Sequence, residues 1–221
     1  MNIELPASDG HRLGAYVANP EGATTKALVI IQEIFGVNSH IRSVADGYAR
    51  DGFLALAPAL FDRVECGVEF GYGPSDIQRG FQIAARVGME NALQDVAAAV
   101  EYAAAQVEEE HIGLVGFCWG GSLAWLAASR LNVAASVGYY GGQIAQYVNE
   151  KPRCPVILHF GTKDAHIPIS EINKIRRAHP EVTIYSYDAG HGFNCDQRQD
   201  YEPKSAALAR QRTLDFLRKW L

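Results

Sequence analysis

No two cysteines in this chain stand in a Cys-x-x-Cys spacing, and the four present, Cys66, Cys118, Cys154 and Cys195, are widely scattered. That excludes a zinc finger and a dense disulfide framework, and it fits a compartment where thiols stay reduced. The first ten residues have neither the basic start nor the apolar middle of a secretory signal. No apolar run approaches the ~18 residues that a spanning helix needs. A cytoplasmic location is therefore expected. Positive charge is short, with 20 Lys and Arg against 25 Asp and Glu. The net charge of −5 argues against nucleic acid or an anionic membrane as partner, and an anionic small-molecule substrate would need a local basic pocket. Internal repeats, low-complexity stretches and linkers are also lacking, and nothing sets an oligomeric state. The 221 residues read as one domain, 1–221, long enough for a substantial core.

What is present is an alternation of strand and helix patterns. An edge hairpin is expected around Leu13–Ala18, after the turn Ser8-Asp-Gly-His11. Ala27–Gln32 is continuous and β-branched, as in a strand covered on both faces. Further strands are expected at Phe53–Ala57, Ile112–Phe117, Val133–Tyr139, Val156–Phe160 and Val182–Tyr187. Helices are expected at His40–Arg50, Asp76–Val87, Met89–Gln106, Ser122–Ser129, Ser170–Ala178 and Lys204–Leu221. Residues 60–75 read as a long excursion across the surface. The fold class is α/β, a mostly parallel sheet with helices on both faces.

In such a sheet, ligands bind beyond the carboxyl ends of the strands. There, between a strand and a helix, lies Gly116-Phe117-Cys118-Trp119-Gly120. This is a Gly-x-nucleophile-x-Gly turn, which lifts its central side chain toward solvent. A cysteine in a lone match is more often a small buried hydrophobe. The flanking strand and helix favour a nucleophile, and a helix start favours a thiolate. After the strand ending at Phe160 comes Gly161-Thr-Lys-Asp164, and after Tyr187 comes Asp188-Ala-Gly-His-Gly-Phe193. Cys118, Asp164 and His191 thus follow in the order nucleophile, acid, histidine. His166 stands too close to Asp164 in sequence to bridge it to the thiol. His179, at a helix end before Pro180, reads as a surface residue or one that complements the helix dipole. His191 and Cys195, four apart, would suit a metal only on a helix, which Gly190 and Gly192 oppose, so no metal is expected. Trp125 reads as core, Phe35 and Trp119 as pocket lining or packing, and Cys66 and Cys154 as buried or incidental.

These segments resemble the dienelactone hydrolases, or carboxymethylenebutenolidases, of the α/β-hydrolase superfamily. The likeness rests on Gln32-Glu-Ile-Phe-Gly-Val-Asn38, Val115-Gly-Phe-Cys-Trp-Gly-Gly121, Gly138-Tyr-Tyr-Gly141, Gly161-Thr-Lys-Asp164, Ala189-Gly-His-Gly-Phe193 and Arg212-Thr-Leu-Asp-Phe-Leu217. It implies an α/β-hydrolase fold and a cofactor-free hydrolase that opens a lactone or ester through an acyl-cysteine. Cys118 would be the nucleophile, His191 the proton relay and Asp164 its orienter, with the backbone N–H groups of Ile34 and Trp119 as oxyanion hole. Glu33 would govern the ionisation of the thiol. Two arginines hold the substrate carboxylate in similar enzymes. The first is expected near Ile77, where Arg79 is available. The second is expected at the place of Cys195, with Arg198 three residues on. Two rivals stand beside this reading: a carboxylesterase or thioesterase for a neutral substrate, and a non-catalytic relative whose Cys118 senses oxidants or carries a ligand.

Overall fold

The structure, a computed structural model, describes residues 2–221. Eight strands form one sheet: β1 (Asn2–Pro6), β2 (Arg12–Ala18), β3 (Ala27–Ile31), β4 (Leu54–Pro58), β5 (Ile112–Phe117), β6 (Ala135–Tyr139), β7 (Val156–Gly161) and β8 (Thr183–Tyr187). Their spatial order is β1-β2-β4-β3-β5-β6-β7-β8. β1 and β2 run antiparallel to their neighbours, and β4 to β8 and β3 run parallel. The helices are α1 (Ser39–Arg50), α2 (Pro74–Val87), α3 (Met89–Ala104), α4 (Trp119–Arg130), α5 (Ile169–Ala178) and α6 (Pro203–Trp220).

Alternation along the strands divides the core in two. On β3, Leu28 and Ile30 face one apolar cluster, while Ala27, Val29 and Ile31 face the other. On β5, Val115 and Phe117 join the first cluster, and Ile112 and Leu114 the second. This period of two, with both faces buried, is why these strands read as unbroken apolar runs. The chain leaves β3 toward β4 on one side and β5 on the other, opening a crevice at the carboxyl ends of β3 and β5. The loop after β3 closes onto α1 through Asn38, whose side chain accepts a hydrogen bond from the Ile41 amide at 3.2 Å.

Most element boundaries fall within a few residues of those expected. Residues 60–75 are the exception, because they do not simply cross the surface. Leu60–Arg63 forms a short 3-10 turn, Leu60, Phe61 and Val68 are buried, and Glu69 bridges to Gly36. The apolar side chains at 60, 61 and 68 anchor the segment despite its glycines. His179 also departs from its expected surface place. It is buried against Trp125 at 4.9 Å, and its Nε2 lies 2.6 Å from the Val148 carbonyl oxygen. Val148 directly follows the short turn Ile144–Tyr147, which packs on α5, a tertiary contact that the position of His179 before Pro180 does not signal.

Beneath the turn after β5 runs an aromatic column: Phe117 stacks on Tyr139 at 4.8 Å, Tyr139 on His159 at 4.4 Å, and His159 on Tyr185 at 5.5 Å. Burial, helped by the nearby Arg212 charge, holds the His159 imidazole down to about 3. In the unfolded chain it titrates near ~6.5. Below that value the unfolded chain binds a proton that the folded one refuses. Stability is therefore expected to fall as pH drops from about 6.5 toward 3, by roughly 1.4 kcal/mol per pH unit from this group. His159→Phe keeps the stack, and Thr213 and Tyr187 retain Tyr139 and Arg212 as partners. Urea denaturation across that window should show a shallower pH slope in the variant; an equal slope assigns the acid sensitivity to another group.

Candidate active site

Cys118 joins β5 directly to α4 with φ 53° and ψ −115°, a conformation a side-chain-bearing residue rarely adopts. Two glycines permit it. A Cβ on Gly116 would lie 1.9 Å from the Gly120 carbonyl oxygen, and one on Gly120 would lie 2.3 Å from that of Ile31. The Cys118 amide donates to the Tyr139 carbonyl at 2.9 Å, tying the turn to β6. The thiol is partly exposed at the N-terminus of α4, where free amides and the helix dipole favour negative charge.

The loops after β7 and β8 are laced together by amides. Thr162 donates to the Tyr187 carbonyl at 2.8 Å and Lys163 to that of Ala189 at 2.9 Å. This brings Asp164 Oδ2 to 2.7 Å from His191 Nδ1, and His191 Nε2 to 3.2 Å from Cys118 Sγ. Asp164 Oδ1 accepts from the His166 amide at 2.8 Å. Burial alone would push the His191 imidazole down, but the Cys118 sulfur and the Asp164 carboxylate lift it to about 10. Burial likewise opposes ionisation of Asp164, yet hydrogen bonds from His191 and from the His166 amide keep its carboxyl below the usual range. Such an arrangement can hold an imidazole in one tautomer and exchange a proton with the sulfur.

Glu33 is buried in the loop after β3, and its Oε1 accepts from Arg198 Nη1 at 3.3 Å. The guanidinium lies over Phe35 at 5.7 Å and Tyr72 at 5.8 Å. Successive turns, Cys195 N to Gly192 O at 2.9 Å and Arg198 N to Cys195 O at 3.1 Å, wind the chain so that Arg198 reaches back over Gly192. Arg79 is exposed and pairs with Glu65 at 2.6 Å, with its guanidinium over Phe70. Ile34 lies in the β3 loop, and Trp119 opens α4 with its ring packed on Phe61 at 5.7 Å.

The fold also brings His40, which no motif singled out, beside Glu33 and Cys195. A carboxylate oxygen of Glu33, a ring nitrogen of His40 and Cys195 Sγ lie within 4.8 Å of one another, and all three residues are buried. Burial, reinforced by Glu33, pushes the Cys195 thiol up to about 12. Tyr72 bonds to the same thiol, and its hydroxyl accepts from Asn38 Nδ2 at 3.1 Å. Tyr140, at φ 39°, packs its buried ring 5.1 Å from that of His191. The positive φ of a tyrosine and the pairing of His40 with Cys195 have no signature in local sequence.

Comparison with known proteins agrees with this architecture. The model of the dienelactone hydrolase family matches residues 13–221. A Synechocystis protein assigned as a carboxymethylenebutenolidase is 35% identical, covering 91% of this chain and 89% of its own. The carboxymethylenebutenolidase of Pseudomonas putida is 34% identical, covering 97% and 94%. A solved Klebsiella pneumoniae structure, assigned as a dienelactone hydrolase, superposes with a TM-score of 0.87 at 29% identity, over 100% of this chain and 99% of that one. Family model, relatives and architecture agree: this chain is an α/β-hydrolase and belongs to the dienelactone hydrolase family.

Proposed function

We propose that the chain opens a lactone or related ester through a thioester on Cys118, with His191 and Asp164 as its proton relay and orienter. The observation that carries this reading is the continuous hydrogen-bonded line from Asp164 through His191 to Cys118 at the strand ends. In the first half-reaction Cys118 Sγ gives its proton to His191 and forms a bond to the carbonyl carbon, and the ring C–O bond breaks as the tetrahedral adduct collapses. The leaving oxygen takes its proton from His191. Water then attacks the thioester while His191 accepts its proton, and the sulfur departs. The amides of Trp119 and Ile34 are suited by position to the oxyanion, one at the helix start and one in the loop of an earlier strand.

Glu33 and Arg198 supply the control. A substrate carboxylate would compete with Glu33 for Arg198, and the displaced glutamate would change its influence on the thiol when substrate is bound. An anion held near a thiol at rest keeps it protonated. Glu33→Gln is therefore expected to speed alkylation of Cys118 by iodoacetamide at neutral pH several-fold, since each pKa unit is about tenfold in thiolate. An unchanged rate, followed by mass spectrometry of the Cys118 peptide, removes this role from Glu33.

One observation favours a second reading, a neutral ester or thioester. Both candidate arginines already hold carboxylates, Arg79 that of Glu65 and Arg198 that of Glu33. A hydrolysis panel with dienelactone beside a neutral aryl ester separates the two, with the trapped acyl-enzyme identified by mass. Turnover of the neutral ester with none of dienelactone overturns the carboxylate-bearing lactone as substrate and leaves the neutral ester.

A further inference from the structure

The Glu33, His40 and Cys195 cluster has the chemistry of a metal site. Its three donors are a carboxylate, an imidazole and a thiol, the borderline-soft set that zinc-class cations take. Each residue is at least nine-tenths buried, and the two oxygen and nitrogen donors are half-committed in complementary ways. Glu33 gives Oε1 to Arg198, and His40 faces Asp196 Oδ1 through Nδ1 at 3.2 Å. Glu33 Oε2 and His40 Nε2 are buried without a hydrogen-bonding partner among the described residues. A buried polar atom left in that state is costly, and a bound cation would satisfy both. The Asp196 carboxylate on Nδ1 leaves Nε2 as the lone-pair donor, the outer-shell arrangement typical of a metal-bound histidine.

Charge and spacing agree. Glu33, Asp196 and Arg198 together leave one negative charge in excess, and a dication that displaces the Cys195 proton cancels it. Ligand atoms around tetrahedral zinc stand roughly 3.3–3.8 Å apart, following from bond lengths of about 2.0–2.3 Å. Separations of up to 4.8 Å close to that range with about an ångström of side-chain movement.

We propose that Glu33, His40 and Cys195 form a second site that binds a borderline transition-metal cation such as Zn²⁺ and that its occupancy inhibits hydrolysis. Binding stands on the cluster alone, while inhibition rests on the role given above to Glu33, which the cation would hold away from its exchange with Arg198. His191 and Cys118 offer a thiol and an imidazole of their own, so the test removes them from the measurement.

Cobalt(II) is titrated into the Cys118→Ala protein, where hydrolysis is not needed for the readout. The expected result is one equivalent bound, with a thiolate-to-cobalt charge-transfer band and tetrahedral visible bands, both displaced by Zn²⁺. Adding Cys195→Ala should abolish the charge-transfer band, and adding His40→Leu should abolish tight binding. Asp196→Asn, at an exposed position where misfolding is not expected, should weaken binding by about 10–100-fold. With Cys118 intact, Zn²⁺ should inhibit the wild type, and Cys195→Ala should resist it. Absence of the band, or its survival in Cys195→Ala, overturns the site. Equal zinc inhibition of wild type and Cys195→Ala overturns the inhibitory role while the cobalt result stands by itself.

Discussion

Cys118→Ala is expected to lower kcat by about four orders of magnitude or more, with little change in KM, on whichever ester or lactone the wild type hydrolyses best. The size follows from the division of labour in a nucleophile–histidine–carboxylate line, where removing one member disables the others. His191→Ala is accordingly expected to lose a comparable amount, and the double variant little more than either single one. Substrate binding is expected to survive, because neither substitution touches Arg198 or the Phe35 ring beneath its guanidinium. Single-turnover kinetics with mass spectrometry should show a substrate-derived acyl group on the Cys118 peptide of the wild type and none on the variant. Wild-type rates in Cys118→Ala would sink the covalent mechanism.

The second large effect is structural. Gly116→Ala places a methyl group 1.9 Å from the Gly120 carbonyl oxygen and 2.4 Å from its carbonyl carbon. Both atoms belong to the backbone of the first turn of α4, so no side chain can swing aside. Either the helix start or β5 must move, and both are packed in the core. We expect a loss of about 4 kcal/mol or more, at the extreme of single substitutions. For a chain of this size that is roughly 10 °C in Tm. The folded fraction should be inactive because Cys118 is carried by the same turn. Gly113→Ala, three residues earlier on β5, is the control. There a Cβ meets only the tips of Leu221, Leu28 and Leu217, at 3.0 Å or more, and a cost of about 1–3 kcal/mol is expected. Urea denaturation of the two variants decides the matter: equal losses would refute the steric account of the turn.

Much of this architecture was legible from residue order. Buried parallel strands announce themselves as short apolar runs such as Ala27–Ile31 and Ile112–Phe117, and glycines and prolines punctuate them. Because ligands gather where strands end, the residues after Phe117, Phe160 and Tyr187 mark the candidate site. The structure brings Cys118, Asp164 and His191 within hydrogen-bonding reach there. Local pattern says less wherever a side chain's partner lies on a remote loop. His179 looked exposed and is buried on Trp125, and the 60–75 segment looked peripheral yet supplies Leu60, Phe61 and Val68 to the core.

Hydrophobic periodicity and turn chemistry are local, so the sequence alone determined the α/β alternation, the strand-to-helix turn at Cys118 and the order of the three site residues. Only the tertiary structure decided that Arg198 winds back to Glu33, that Arg79 pairs with Glu65, and that His40 and Cys195 meet beside Glu33. Those contacts join residues as far apart as 33 and 198, and they depend on strand order and loop winding. No nearby residue carries the energy of such a contact, which is why no local pattern records it.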